Sequence, residues 1–429
     1  MLQSRLKTRR LPRRLPNNQK CSKRRIANAG LRVRLGRDIA MKHILLVATG
    51  GTIASTEAGR GLSPALTGEE LARAVPEIAA LCDIEIMQPM NIDSTNMLPV
   101  NWLRIRDIIV ERYDAFDGFV ILHGTDTMAY TAAALSYLIQ QSPKPIVITG
   151  SQRPMGSSFT DAKLNLYQSL RFATDARSHD VTIVFGGIAI AGTRARKQRT
   201  MSSNAFTSVN YPPLAIIRND RVIRTDCAEM MSAQFSSTVH AALDYARAER
   251  ASVKDLRPED LAAAGPIAQS SRKRSGKAGA LGIEQPRAPH TYEGLDERVF
   301  VLKLTPGLKP SIFETLRPSY DAVILETFGL GGIPSHEERS RSFQHAIFDW
   351  VDSGRTIVIT TQVPEEGLDL GVYEISRPYA EHPGILRGDD MTTEALVAKT
   401  MWALGQSHDP DVVRTLFYLP VNHDRLVIA

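Results

Sequence analysis

The sequence predicts an α/β fold made of two parallel-sheet α/β domains, a larger N-terminal one and a smaller C-terminal one. Three observations carry this. Short, continuous runs of β-branched residues and Leu alternate with amphipathic helical stretches, the pattern of strands buried on both faces by crossover helices. The alternation is present on both sides of a compositional break near residues 251–290, where small residues, Pro, Gly and a basic knot replace it. A chain of 429 residues with 43% hydrophobic and 23% charged residues also has the length and apolar content for two cores.

Taken in order, residues 1–40 hold 13 Lys or Arg and one acid, Asp38, so they contribute +12 to the net charge of +6 and leave −6 for the remainder. This basic run repels itself and has no buriable face, so disorder is expected. It lacks the apolar segment of a secretory signal. Nucleic-acid attachment or organelle targeting would use its Arg clusters. The alternative is an adventitious extension, since Met41-Lys-His leads straight into the apolar run from Ile44.

Strands are expected over 44–47, 119–122, 146–149 and 181–185, with helices over 101–113, 127–140 and 161–174. Domain bounds are set at 41–230 and 297–429, with a loop-rich linker over 231–296. In the second half, strands over 299–304, 322–326 and 356–361 alternate with helices over 310–316, 343–349 and 393–404. The apolar runs are broken before the roughly 18 residues of a membrane span, so no membrane association is expected. Cys21, Cys82 and Cys227 fit neither a disulfide framework nor a metal or redox pattern, so no disulfide framework or zinc site follows.

In such folds ligands bind beyond the carboxyl ends of strands. The first strand runs out into ATGGTIAS, placing the hydroxyls of Thr49 and Thr52 around two glycines, with neither a dinucleotide nor a phosphate-loop pattern. The strand in DGFVILHGTDTM delivers His123, Thr125, Asp126 and Thr127 at a helix start. Capping by Asp126 or Thr127 accounts for part of this, but not for His-Gly-Thr. GTRARK supplies Lys197 in a basic segment that reads equally as a solvated loop; beside an aspartate and a threonine, a desolvated lysine could take a hydroxyl proton.

Together ATGGTIAS, DGFVILHGTDTMAYTA, VITGSQRP and NYPPL resemble the bacterial-type L-asparaginases, and most closely their cytoplasmic type I branch. The resemblance runs from about Met41 to the C-terminus, skipping the insertion. It implies hydrolysis of L-asparagine to L-aspartate and ammonia, without a cofactor, in a cytoplasmic homodimer or homotetramer. It assigns catalysis to Thr52 as nucleophile with Thr125, Asp126 and Lys197, and substrate binding to Ser94, Thr95, Gly124, Asp126 and Ser151. Backbone N–H groups of Gly51 and Thr125 are the expected oxyanion donors. Family members carry a tyrosine on the loop after TGGT; here Leu62 is expected in its place. A carboxylate from a neighbouring subunit is matched by either Glu366 or Asp369. Nucleic acid is expected to bind only weakly, through residues 1–40. The competing readings are the amidase subunit of a tRNA-dependent amidotransferase, and a nucleic-acid-binding protein on an inert scaffold.

Overall fold

A computed structural model describes residues 41–58, 61–64, 70, 75–225, 288–335, 338 and 341–426. The expectations for the basic extension over 1–40 and for the insertion, up to residue 287, lie outside the described residues. So does the side chain of Leu62.

The chain opens with β1 (Lys42–Ala48), a hairpin of β2 (Ser55–Ala58) and β3 (Gly61–Pro64), and β4 (Cys82–Met87). Helix α1 (Pro99–Arg112) follows, then β5 (Gly118–Leu122), α2 (Met128–Leu138), β6 (Ile139–Gln140), β7 (Ile146–Thr149), α3 (Ala162–Ala173) and β8 (Val181–Phe185). After β9 (Ile188–Ala191), the ribbon of β10 (Ala195–Lys197) and β11 (Phe206–Ser208) leads to β12 (Ala215–Arg218) and β13 (Arg221–Arg224).

Among the described residues eight of these strands form one sheet in the order β13-β12-β9-β8-β7-β5-β1-β4. The five from β4 to β8 are parallel, as the sequence predicts. At the other edge the sheet is mixed, because β9 and β12 run antiparallel to their neighbours. The cause is Gly186-Gly187, whose φ angles of +59° and +82° make the tight two-residue turn that folds β9 back on β8.

The C-terminal part contains β14 (His290–Thr291), β15 (Val299–Lys303), α4 (Ile312–Leu316), β16 (Ala322–Thr327), α5 (Phe343–Asp352) and β17 (Thr356–Thr361). It ends with α6 (Arg377–Glu381), β18 (Ile385–Arg387), α7 (Thr393–Gln406) and α8 (Pro410–Tyr418). Strands β15 to β18 form a parallel sheet in sequence order. Helix α2 stops at Leu138, two residues early, because Ile139 and Gln140 pair with Thr291 and His290 of β14.

Local chemistry sets the helix ends. Pro99 starts α1, where its missing N–H costs nothing, and Asn101 Oδ1 takes the Leu98 N–H at 2.8 Å. Thr392 caps α7 through the Ala395 N–H, and Asp409 caps α8 through Asp411 and Val412. The apolar faces of α1, α2, α7 and α8 share one core, with Tyr137 stacked on Trp402 at 5.8 Å and Tyr292 edge-on to the same indole. Helices from both halves are therefore packed as one body.

Candidate active site

The register of the large sheet brings the motifs together. Ala48 at the end of β1 pairs with Leu122 at the end of β5, which pairs with Thr149 at the end of β7. The loops starting at 49, 123 and 150 thus emerge side by side at the carboxyl edge.

The two threonines of the first loop have different fates. Thr49 is buried and its Oγ1 donates to the Leu122 carbonyl at 2.8 Å, so it ties the strand ends together. Thr52 is half-buried and opens a single 3-10 turn, Thr52–Ala54. Between them, Gly51 at φ +84° lies so close to the second loop that a Cβ there would stand 2.3 Å from Gly124 Cα. A Cβ on Gly124 would in turn stand 2.6 Å from Ser94 Oγ. Only glycine permits these approaches. They bring Thr52, Thr125 and Ser94 to one place, since each is one residue from, or in contact with, the touching glycines.

Lys197 completes the group. Its Nζ donates to Thr125 Oγ1 at 2.8 Å and to Asp126 Oδ1 at 2.6 Å. The Thr125 hydroxyl then donates to Gln152 Oε1 at 3.3 Å. Ser94 Oγ accepts the Asp126 N–H at 3.3 Å, while the Thr127 hydroxyl donates to the Ser94 carbonyl at 2.8 Å. Thr127 stands at the N-cap of α2 but its side chain does not cap, because it is turned to Ser94.

Other sequence-derived positions are placed differently. The Gly51 N–H donates to the Ile92 carbonyl at 3.1 Å, so this amide is already used and is not an open oxyanion donor. The Ser151 hydroxyl donates to the Arg153 carbonyl at 2.5 Å from a fully buried side chain, and so builds its loop. Thr95 is exposed, with both its N–H and its hydroxyl donating to Asp93 Oδ1 at 2.9 Å. Glu366 and Asp369 are exposed at the C-terminal part, Glu366 at φ +76° with its N–H on Asn210 Oδ1 at 2.9 Å.

His123 does not join the site. It is fully buried, and burial pushes its pKa down to about 4, so the ring is neutral at pH 7. Trp102 Nε1 donates to Thr131 Oγ1 at 2.9 Å, which leaves that hydroxyl's proton for His123 Nε2 at 2.9 Å. Nδ1 therefore carries the ring proton and donates to the Gly124 carbonyl at 2.7 Å. The histidine props the glycine from behind.

Sequence reasoning missed Gln152 and Asp161 as working residues. Asp161 takes the N–H groups of Gln152 and Arg153 at about 3 Å, and Gln152 Nε2 reaches the Arg199 and Ser202 carbonyls. Gln152 lies inside the VITGSQRP stretch, whereas nothing in the local pattern marks Asp161, which reads as a helix cap.

Among the described residues, three side chains come close enough to suggest a cation site: Asp296, Asp321 and His408. They are remote from these loops in sequence, and Arg298 already holds both Asp321 oxygens at 2.8 Å. The set is an ion-paired cluster, not a metal centre.

Residues 43–227 match the family described as "Asparaginase, N-terminal", and residues 298–417 match "Glutaminase/Asparaginase C-terminal domain". The chain belongs to the asparaginase family. Among its relatives is the L-asparaginase of Thermococcus kodakarensis, 30% identical over 378 residues that cover 87% of this chain and 96% of that one. The solved structure of the thermostable L-asparaginase from that organism superposes with a TM-score of 0.69 at 29% identity, over 90% of this chain and 100% of that one. L-asparaginase I from Vibrio cholerae superposes with a TM-score of 0.68 at 26% identity, over 90% of this chain and 100% of that one. A glutamyl-tRNA(Gln) amidotransferase subunit from Metallosphaera sedula is 31% identical over 396 residues, covering 89% of this chain and 76% of that one. The asparaginase family thus supplies amidohydrolase chemistry with more than one named role. No helix among the described residues is long and apolar enough to cross a membrane.

Proposed function

We propose that this chain hydrolyses the side-chain amide of free L-asparagine to L-aspartate and ammonia, with Thr52 as nucleophile. The observation that carries the reading is Lys197 Nζ set between Thr125 Oγ1 at 2.8 Å and Asp126 Oδ1 at 2.6 Å, on loops that converge beside Thr52. Thr52 Oγ attacks the amide carbonyl carbon; the C–N bond breaks, ammonia leaves and an ester forms on Thr52. Water then attacks that ester, releasing aspartate and restoring the hydroxyl. A hydroxyl is a poor nucleophile at its free pKa. The Thr125–Lys197–Asp126 relay takes the proton from the attacking oxygen and returns it to the leaving group. Ser94 Oγ and the Asp126 carboxylate hold the α-carboxylate and α-ammonium of the substrate. With the Gly51 amide occupied, the Thr125 N–H is the oxyanion donor retained from the sequence reading.

A cytoplasmic homo-oligomer completes the reading, in which exposed Glu366 or Asp369 of one subunit reaches the α-ammonium in another. The amidotransferase reading is the second one, favoured by the names of relatives such as the M. sedula protein. Ammonia release from free asparagine by the purified chain alone separates the two. Turnover without a partner or tRNA supports the asparaginase reading. Ammonia formed only when an amidotransferase partner is added supports the other.

A further inference from the structure

We propose that the segment from Val421 to Arg425 is a positioning strap that fixes where Lys197 sits; the inference rests on the catalytic reading of Lys197 above. The lysine is carried by β10, which among the described residues pairs with β11 alone in a two-stranded ribbon and has no place in the eight-stranded ladder. A two-stranded ribbon is marginal by itself; this one is packed, with Ala195 and Phe206 buried and Phe206 edge-on to Phe185 at 5.1 Å, and is held by hydrogen bonds at its ends. At the far end, Gln152 Nε2 holds the Arg199 and Ser202 carbonyls at 3.2 and 3.3 Å.

At the near end the holder is the strap. Thr193 Oγ1 donates to the Asn422 carbonyl at 2.5 Å, and Arg194 Nε donates to the His423 carbonyl. Arg194 Nη1 also donates to Asp390 Oδ2 at 2.8 Å. Lys197 is three extended residues beyond Arg194, about 10 Å along the strand. A displacement of the arginine therefore acts on the same short strand that carries the lysine.

The strap is itself pinned to both halves of the fold. Asn422 Nδ2 donates to Ser136 Oγ on α2 and to the Val181 carbonyl on β8, each at 2.8 Å. Asp424 Oδ2 accepts from Tyr137 OH of α2 at 3.0 Å and pairs with Lys399 of α7, and Lys399 Nζ reaches the Leu419 carbonyl at 2.6 Å. Asn422 and His423 are held at φ +46° and +63°, a conformation that surrounding contacts must enforce. Arg194, Lys399 and Asp424 are all fully buried. Buried ion pairs of this kind are weak sources of stability; the role the strap gives them is to fix one arrangement.

The test uses the full chain. Asp424→Asn strands the Lys399 charge and risks unfolding, so Asn422→Ala and the isosteric Thr193→Val accompany it. Two quantities are read: kcat and KM for asparagine, and the rate at which an acetylating reagent labels Lys197, followed by peptide mass spectrometry against Lys144 as internal reference. Asn422→Ala should lower kcat about tenfold, with any change in KM following from the Lys197–Asp126 pair, and should raise Lys197 labelling several-fold. Ile347→Val, on the buried face of α5 in the C-terminal core, is the control for general destabilisation and should move neither quantity. A folded Asn422→Ala protein with kcat within twofold of wild type and unchanged labelling overturns the strap. If wild type itself releases no ammonia from asparagine, the functional reading fails, and labelling still decides the strap.

Discussion

Replacing Gly51 by Ala tests how the two glycine loops set the geometry of the site. The substitution adds one methyl group, but at φ +84° and 2.3 Å from Gly124 Cα, with Gly124 N at 2.4 Å. Both obstacles are backbone, so no side chain can swing aside. Restoring an ordinary contact at 3.4 Å requires the loops to part by roughly 1 Å. The left-handed backbone adds about 1–2 kcal/mol for any residue with a Cβ. Thr52 and Thr125 follow the two touching glycines directly, and a misplacement of about 1 Å is enough to cost about 100-fold in rate. Gly51→Ala should therefore lower kcat/KM for asparagine by at least about 100-fold while the protein stays folded. Gly156→Ala is the matched control, because a Cβ there meets nothing within 4 Å, and it should be near neutral. Coupled ammonia assays and thermal melts on both variants suffice. A Gly51→Ala enzyme with a third or more of wild-type kcat/KM would refute the reasoning.

Thr125→Val removes the hydroxyl that receives the Lys197 hydrogen bond at little cost in volume; kcat should fall by about 100-fold or more, with a melting temperature close to wild type. Glutamine inserts a methylene between the groups held by Ser94 and Asp126 and the scissile amide, so competition kinetics should favour asparagine by at least about tenfold in kcat/KM. His123 is held near pKa 4, below its unfolded value of about 6.5, so the unfolded chain binds the extra proton between those values and stability falls as pH drops through that window. This should cost about 2 kcal/mol between pH 7 and pH 4.5 in denaturant titrations of wild type, and the loss should shrink in His123→Asn. A chain beginning at Met41 should fold and turn over asparagine like the full chain, while losing weak nucleic-acid binding; an inactive or unfolded product would make residues 1–40 part of the working protein.

Much of the fold is legible in the sequence because burial is encoded locally. The runs at 146–149, 181–185 and 356–361 become strands with those same bounds, since each is made almost wholly of β-branched residues, which suit a buried pleated sheet. The antiparallel edge is less visible: its signal is the Gly186-Gly187 pair, which a reading tuned to βαβ alternation passes over. The site divides in the same way. Lys197, Thr125 and Asp126 stand in motifs dense in polar residues at strand ends, and the structure brings them within hydrogen-bonding distance. His123 has the same sequence surroundings and a different role, because its ring is fully buried and hydrogen-bonded to Thr131 of α2. The Gly51 amide could not have been assigned from sequence, since its acceptor, Ile92, is 41 positions away and pairs only once the sheet has formed. The strap at 421–425 carries no motif, and its significance lies in long-range contacts to Thr193 and Arg194.

Amide hydrolysis by Thr52 is tested by comparing wild type and Thr52→Ala in one asparagine assay. Wild type should release ammonia and aspartate in equal amounts, and Thr52→Ala, folded by circular dichroism, should be slower by several orders of magnitude. A wild-type chain without turnover, or a Thr52→Ala variant retaining more than about a tenth of its rate, a barrier change of only about 1.4 kcal/mol, would contradict it.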